Sequence, residues 1–294
     1  MSGAPFGAVL TAMVTPFDDD GELDIDASIE LARWLADHGN DGLVVAGTTG
    51  EAPVLSDAEK VELWRAVREA VTIPVVAGTG TNNTAETVEL TRRAADVGVA
   101  GMLVVGPYYN RPSQAGIEAH LRAVAAATDL PVLVYDVPGR TGRRIAHDVL
   151  VRVAADVPNL VGLKDATGDP AGAAKLLART SGFCVYSGDD SLTLPLLAVG
   201  AVGVVGVATH WAAPEFGEMI AAFEKGDVAR AREVNARLVE SYEFENSDTC
   251  VFSQAAKAMM RTLGVPVGDC RLPLGPAPAG TEDRAREVYA HLHA

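Results

Sequence analysis

Eight short, almost purely apolar runs recur along this chain at intervals of roughly 20 to 35 residues, the length of one strand–helix unit. They cover 8–14, 42–46, 73–77, 101–105, 131–135, 160–164, 183–186 and 203–207. Most are continuously hydrophobic rather than alternating. That is the pattern of parallel strands covered on both faces. The segments between them read as helices. In 26–38, Ile29, Leu31, Trp34 and Leu35 follow a 3.6 period, and Gly39 stops it. Ser56 precedes 57–71 with Glu59 three positions on, a capping box. Segment 84–97 ends at Gly98, and 113–128, 147–155, 169–180 and 213–224 behave alike, with 192–199 shorter. Eight such units without a composition shift or linker predict a (β/α)8 TIM barrel. A doubly wound sheet would need a switch in strand order, and nothing in the sequence marks one. Helical patterns at 227–245, 253–263 and 282–293 then form a C-terminal appendage. We divide the chain into a barrel with the active site, 1–225, and a C-terminal helical region, 226–294, expected to serve oligomer contact or structural cover.

The chain has 294 residues, and its net charge of −15 argues against nucleic acid and anionic membrane as partners, since both select basic patches. Cys184, Cys250 and Cys270 are odd in number and far apart, without a CxxC pair. The six histidines form no HExxH, so no metal is expected. Residues 1–7 carry no basic region leading into an apolar core, and no apolar stretch approaches a membrane span. A soluble, cytoplasmic protein is the expectation.

In such barrels the chemistry gathers where the strands end. The sixth run ends in Lys164. Lysine is rarely buried without a partner or a task. A desolvated ammonium loses its proton more easily, and the neutral amine attacks carbonyls to form an imine. Gly162, on the same face, is expected to leave room for its stem. The plainer alternative is a strand-end lysine whose head reaches water. Other strand ends are also polar: Gly47-Thr48-Thr49-Gly50-Glu51, Gly78-Thr79-Gly80, the Pro107–Pro112 loop, Tyr135 to Gly142, and Ser187-Gly188-Asp189-Asp190. The opposite ends, at Ile73, Leu130 and Leu160, are plain.

The Gly47–Gly50 turn can offer N–H groups and hydroxyls to an anion, or be only a tight turn. Tyr135 can relay protons near Lys164, or be a core tyrosine with a satisfied hydroxyl. Tyr108 and Tyr109 read as exposed interface anchors. Arg140, on a stiff Pro-Gly loop, suits a carboxylate by two parallel hydrogen bonds, or a surface salt bridge. Several patterns are set aside. Gly78–Asn83 lacks the third glycine of a nucleotide loop. The acidic turn Asp18–Glu22 lacks calcium-loop spacing. Thr209-His210-Trp211 reads as rim packing.

With these residues in view, the sequence resembles the dihydrodipicolinate synthase / N-acetylneuraminate lyase family of class I pyruvate aldolases over about residues 8–273. The stretches that carry the resemblance are 47–51, 78–80, 107–114, 135–142, 164–168 and 187–190. The resemblance implies that Lys164 forms the imine with pyruvate, without any other cofactor. It implies that Thr48 and Thr49 hold the pyruvate carboxylate. Tyr135, Thr48 and Tyr109 would form a proton relay, Tyr109 coming from the neighbouring subunit of a tight dimer within a homotetramer. Arg140 would bind the carboxylate of L-aspartate 4-semialdehyde, with Val205 near the imine through its carbonyl and Gly188 in substrate binding. Arg140 favours the synthases of the family over its sialic-acid lyases.

Where the lysine-inhibited members carry histidines, this chain has Asp57 and Lys60, although Asn82, Glu86 and Tyr108 match. Weak or absent inhibition is expected, to be read by calorimetry with lysine. The segment 245–254, including Asp248-Thr249-Cys250, departs from the family pattern and gets no functional account. Two rival functions remain. One is a different pyruvate aldolase or hydratase, acting on a 2-keto-3-deoxy sugar acid or a hydroxy-oxoglutarate. The other is a silent relative that binds a keto acid as a regulator.

Overall fold

A computed structural model describes residues 3–247 and 249–294. Asp248 therefore lies outside the described residues. The chain runs β1 (Val9–Ala12), α1 (Ile25–Asp37), β2 (Gly42–Val45), α2 (Asp57–Ala70), β3 (Val75–Gly78), α3 (Thr84–Val97) and β4 (Gly101–Val105). It continues α4 (Gln114–Ala125), β5 (Val132–Asp136), α5 (Pro138–Thr141), α6 (His147–Asp156), β6 (Leu160–Asp165), α7 (Pro170–Leu177), β7 (Cys184–Ser187), α8 (Thr193–Leu197) and β8 (Gly203–Gly206). Four helices follow: α9 (Thr209–Glu224), α10 (Val228–Glu245), α11 (Phe252–Thr262) and α12 (Thr281–Leu292). The strands pair in parallel, in chain order, and β1 closes on β8. The eight apolar runs and the barrel inferred from them are borne out.

The apolar runs lack alternation because both faces of the sheet are dry. An inner cluster that includes Leu10, Val44, Val76, Leu103, Leu133 and Val205 fills the barrel. A larger outer cluster lies between the sheet and the helices. Phe6 plugs the amino-terminal mouth, where the Tyr186 hydroxyl donates to the Gly7 carbonyl at 2.9 Å. The helix starts obey local chemistry. The Glu59 carboxylate accepts from the Ser56 N–H at 2.7 Å, completing the capping box at the start of α2.

Two details differ from the sequence reading. The stretch after Tyr135 is not simply a loop: Pro138–Thr141 makes one helical turn that carries Arg140, and Gly142 ends it at φ 72°. A single turn has no periodicity to detect. The last barrel helix begins at Thr209, ahead of the expected 213, with a kink at Ala212. Pro214 cannot donate to the turn before it, which bends the helix there.

Candidate active site

Strand register brings the chemistry together. Tyr135 pairs with Lys164 across β5–β6, and Lys164 pairs with Tyr186 across β6–β7. Tyr135 and Tyr186 belong to the inner cluster, so Lys164 faces the barrel interior with them. Lys164 is 5% exposed, and its Nζ lies 4.5 Å from the centre of the Tyr135 ring. Burial pulls the lysine down to about 8, against the opposing pull of Asp190 and Glu245. The desolvation penalty wins, as expected where no carboxylate touches the ammonium directly. The plainer alternative of a solvent-reaching head is excluded by this burial.

The room for the lysine stem comes from a residue other than the expected one. A Cβ on Gly162 would strike Cys184 Sγ at 2.3 Å, so that glycine makes space for a neighbouring core side chain. A Cβ on Gly188 would lie 2.9 Å from both Cγ and Cε of Lys164. Gly188 therefore sets the position of the amine. Gly188→Ala should displace Nζ, because the added Cβ would press on Cγ and Cε of Lys164 and lie 3.1 Å from Ala166 Cβ. A displacement near 1 Å costs on the order of a hundredfold in rate. Steady-state turnover within a few-fold of the parent would refute this.

Tyr135 is 6% exposed, and burial pushes its phenol up to about 12, while Arg140 and the nearby Thr48 side chain oppose the rise. A neutral phenol that lines the same cleft as a hydroxyl is suited to carry a proton rather than to stand as an anion. Thr48 belongs to the tight turn after β2, closed by Glu51 N–H to Thr48 O at 3.1 Å and Ala52 N–H to Gly47 O at 3.2 Å. Thr49 is buried beside it. Val205 is buried on the inner wall in β8. Arg140 makes no ion pair among the described residues; its guanidinium rests 4.2 Å over the Phe252 ring. Such a contact is worth about 0.5–1 kcal/mol at an exposed site. A carboxylate held by charged hydrogen bonds outcompetes it at about 1.5–3 kcal/mol.

Thr48, Tyr135 and Arg140 line a cleft of about 350 Å³ that extends to Lys60, Glu86 and Tyr108. Lys164 stands behind Tyr135, outside this lining. The Lys60 ammonium is 3.6 Å from the Asp57 carboxylate. The two tyrosines of the fourth loop part company. Tyr108 lines the cleft, whereas Tyr109 is 89% exposed at φ 70°, a conformation that costs a non-glycine residue energy. Tyr109 is thus held outward, away from Tyr135 of its own chain. His210 is fully buried, accepts from the Val14 N–H at 3.1 Å through Nε2 and meets the Val207 carbonyl at 2.7 Å through Nδ1. The donating backbone N–H leaves Nδ1 as the protonated nitrogen, so both ring nitrogens are satisfied in rim packing.

Sequence reasoning missed what the C-terminal helices bring. Lys257 from α11 meets the Glu51 carboxylate at 2.9 Å, both side chains being 1% exposed. Arg271 donates its backbone N–H to the same carboxylate at 2.9 Å and its guanidinium to Glu59 at 2.6 Å. Phe252 carries Arg140, and Glu245, at the end of α10, bonds the Ala208 N–H at 2.9 Å. One signal was available: Glu245 continues the buried stripe Val234, Leu238, Ser241 of its helix, an odd place for a carboxylate.

An amine held partly neutral at the carboxyl end of a barrel strand, beside a neutral buried phenol, defines the class: an imine-forming lyase on a (β/α)8 barrel. The chain belongs to the dihydrodipicolinate synthetase family, whose model matches residues 5–293. It is 51% identical to a 4-hydroxy-tetrahydrodipicolinate synthase of Acidothermus cellulolyticus, over 98% of this chain and 92% of that one. It is 47% identical to the synthase of the same name from Moorella thermoacetica, over 98% and 97% of the two chains. The structure matches that of a dihydrodipicolinate synthase from Cyanidioschyzon merolae with lysine bound. That match has a TM-score of 0.95 and 42% identity, over 98% and 99% of the two chains.

Among the described residues no helix is long and apolar enough to cross a membrane.

Proposed function

We propose that this enzyme condenses pyruvate with L-aspartate 4-semialdehyde to 4-hydroxy-tetrahydrodipicolinate, in the diaminopimelate route to lysine. The observation that carries the chemistry is Lys164, buried, pulled down to about 8 and set against Tyr135. The neutral amine adds to C2 of pyruvate, and the carbonyl oxygen leaves as water after taking two protons. The Tyr135–Thr48 pair supplies and recovers protons at this step, while Thr48 and Thr49 hold the carboxylate. Loss of a C3 proton turns the iminium into an enamine. Its C3 attacks the aldehyde carbon, whose oxygen takes a proton. The amine of the second substrate then displaces Lys164 from C2 and closes the ring. Val205 and Gly188 form the wall of the substrate site, and the bond to Lys164 replaces any separate cofactor.

Arg140 anchors the second carboxylate. Arg140→Ala should lower kcat/KM for condensation about ten- to hundredfold, the worth of a charged hydrogen-bonded pair. Trapping of the pyruvate imine should persist. An unchanged kcat/KM for aspartate semialdehyde, with loss for another aldehyde, would favour a different pyruvate aldolase of the same chemistry.

Tyr109 belongs to the relay of a neighbouring subunit in a homotetramer built from tight dimers. Its 89% exposure and outward backbone support this reading, since tyrosine is a frequent anchor where subunits meet. Sedimentation should give a dimer or tetramer at micromolar concentration. A monomer there would unseat Tyr109. Lysine inhibition is weak or absent, because the paired Asp57 and Lys60 stand where the inhibited members carry histidines.

A further inference from the structure

Behind Lys164 lies a second pair of titratable groups for which the imine mechanism has no task. The loop that leaves β8 places the Val207 N–H 2.8 Å and the Ala208 N–H 2.6 Å from one oxygen of Asp190. The same Ala208 N–H lies 2.9 Å from Glu245. Asp190 is 2% exposed and Glu245 8%. Two carboxylates that share one N–H lie close together, and two buried anions so placed repel strongly unless a proton is held by the pair. Asp190 takes two backbone donors on one oxygen. Burial, followed by the charge of Asp190, pushes Glu245 well above the usual carboxylate range, which favours a proton within the pair. The arrangement is built in. A Cβ on Gly206 would sit 2.4 Å from Asp190 Oδ1, so the strand is bare where the carboxylate rests.

The pair stands close to the amine. Asp190 follows Gly188, which packs on the lysine stem, by two residues. The groups that face the pair are Lys164 from β6, Asp189 from its own turn and Tyr242 from α10. His210, in the first turn of α9, is neutral by its hydrogen bonds. Among these groups Lys164 is the one that can become cationic.

We propose that Asp190 and Glu245 share one proton and together place a single buried negative charge behind Lys164, which stabilises the cationic imine and makes them positioning residues of this site. The inference rests on Lys164 being the imine-forming lysine. Imine formation consumes the neutral amine and one proton and yields an iminium cation. In a dry interior a fixed negative charge favours that product and the ammonium alike. Single amide variants keep one carboxylate and hence the charge; the double amide removes it.

The test is the pH dependence of borohydride trapping with pyruvate, compared among the parent enzyme, Glu245→Gln and Asp190→Asn/Glu245→Gln. In the double variant the acidic limb of trapping should move down by about one unit, and imine affinity for pyruvate should weaken about tenfold. Glu245→Gln should keep the limb. A folded double variant with an unmoved limb leaves the pair a structural clasp and overturns the inference, while trapping in the parent still upholds Lys164. No trapping in the parent overturns both. Should the double variant fail to fold, infrared difference spectra decide. The parent at neutral pH should show a protonated carboxyl band that Glu245→Gln lacks, and its absence from the parent overturns the inference.

Discussion

Replacing Lys164 with alanine is expected to abolish trapping by pyruvate and borohydride and to lower kcat/KM by roughly three to six orders of magnitude. No other amine lines the inner wall with it. Of the other buried lysines among the described residues, Lys257 is paired to Glu51 at 2.9 Å, and Lys60, which lines the cleft, stands 3.6 Å from the Asp57 carboxylate. The size of the effect follows from the state of the amine. A lysine at 10.5 is neutral in about one molecule in three thousand at pH 7. Pulled to about 8, it is neutral in roughly a tenth. Burial therefore raises the reactive population several hundredfold before any orientation is counted. The parent enzyme should be trapped faster as pH rises through about 8 and level off above it, because the neutral form is the nucleophile. Residual trapping in Lys164→Ala would mean that another amine carries the imine.

Lys257→Met should be strongly destabilising, although it lies outside the barrel strands. It leaves the Glu51 carboxylate buried with the Arg271 N–H but without its cation. Removing one partner of a buried pair costs about 3–5 kcal/mol, more than the pair contributes against apolar replacements. For a domain of this size the melting point should fall by roughly 10 °C. Glu51 sits at φ 58°, a left-handed position that a non-glycine residue holds only when its surroundings insist. Once the pair is broken, the Gly47–Ala52 turn should relax, and the KM for pyruvate should rise with it. Glu51→Gln/Lys257→Met removes both charges and should recover much of the stability. A single variant that melts with the parent would show that Arg271 alone holds the turn. The C-terminal helices thus do more than cover the barrel or meet a partner. Through Glu51, Arg140 and Ala208 they touch three of the loops that form the site.

The barrel was legible because its information is local. Each apolar run carries its own strand, and each intervening stripe its own helix. Chain connectivity then leaves few ways to bury both faces of every strand. Lys164 was legible for the same reason: a charge ending an apolar run is conspicuous wherever the run packs. The helical turn that bears Arg140 was not legible, since four residues hold no period. The opposite directions of Tyr108 and Tyr109 depend on a positive φ that neither residue type announces.

The sequence alone determined eight parallel strands in order and the end of the barrel at which the amine, phenol and hydroxyl turn gather. Tertiary structure alone decided which distant groups hold those in place. Glu51 meets Arg271 across 220 positions, and Glu245 returns to Ala208 across 37. It also assigned the space around the amine to Gly188 instead of Gly162. Local patterning records how each segment meets water and its immediate neighbours. Pairing between buried charges and clearance between side chains on different strands exist only once the barrel has closed.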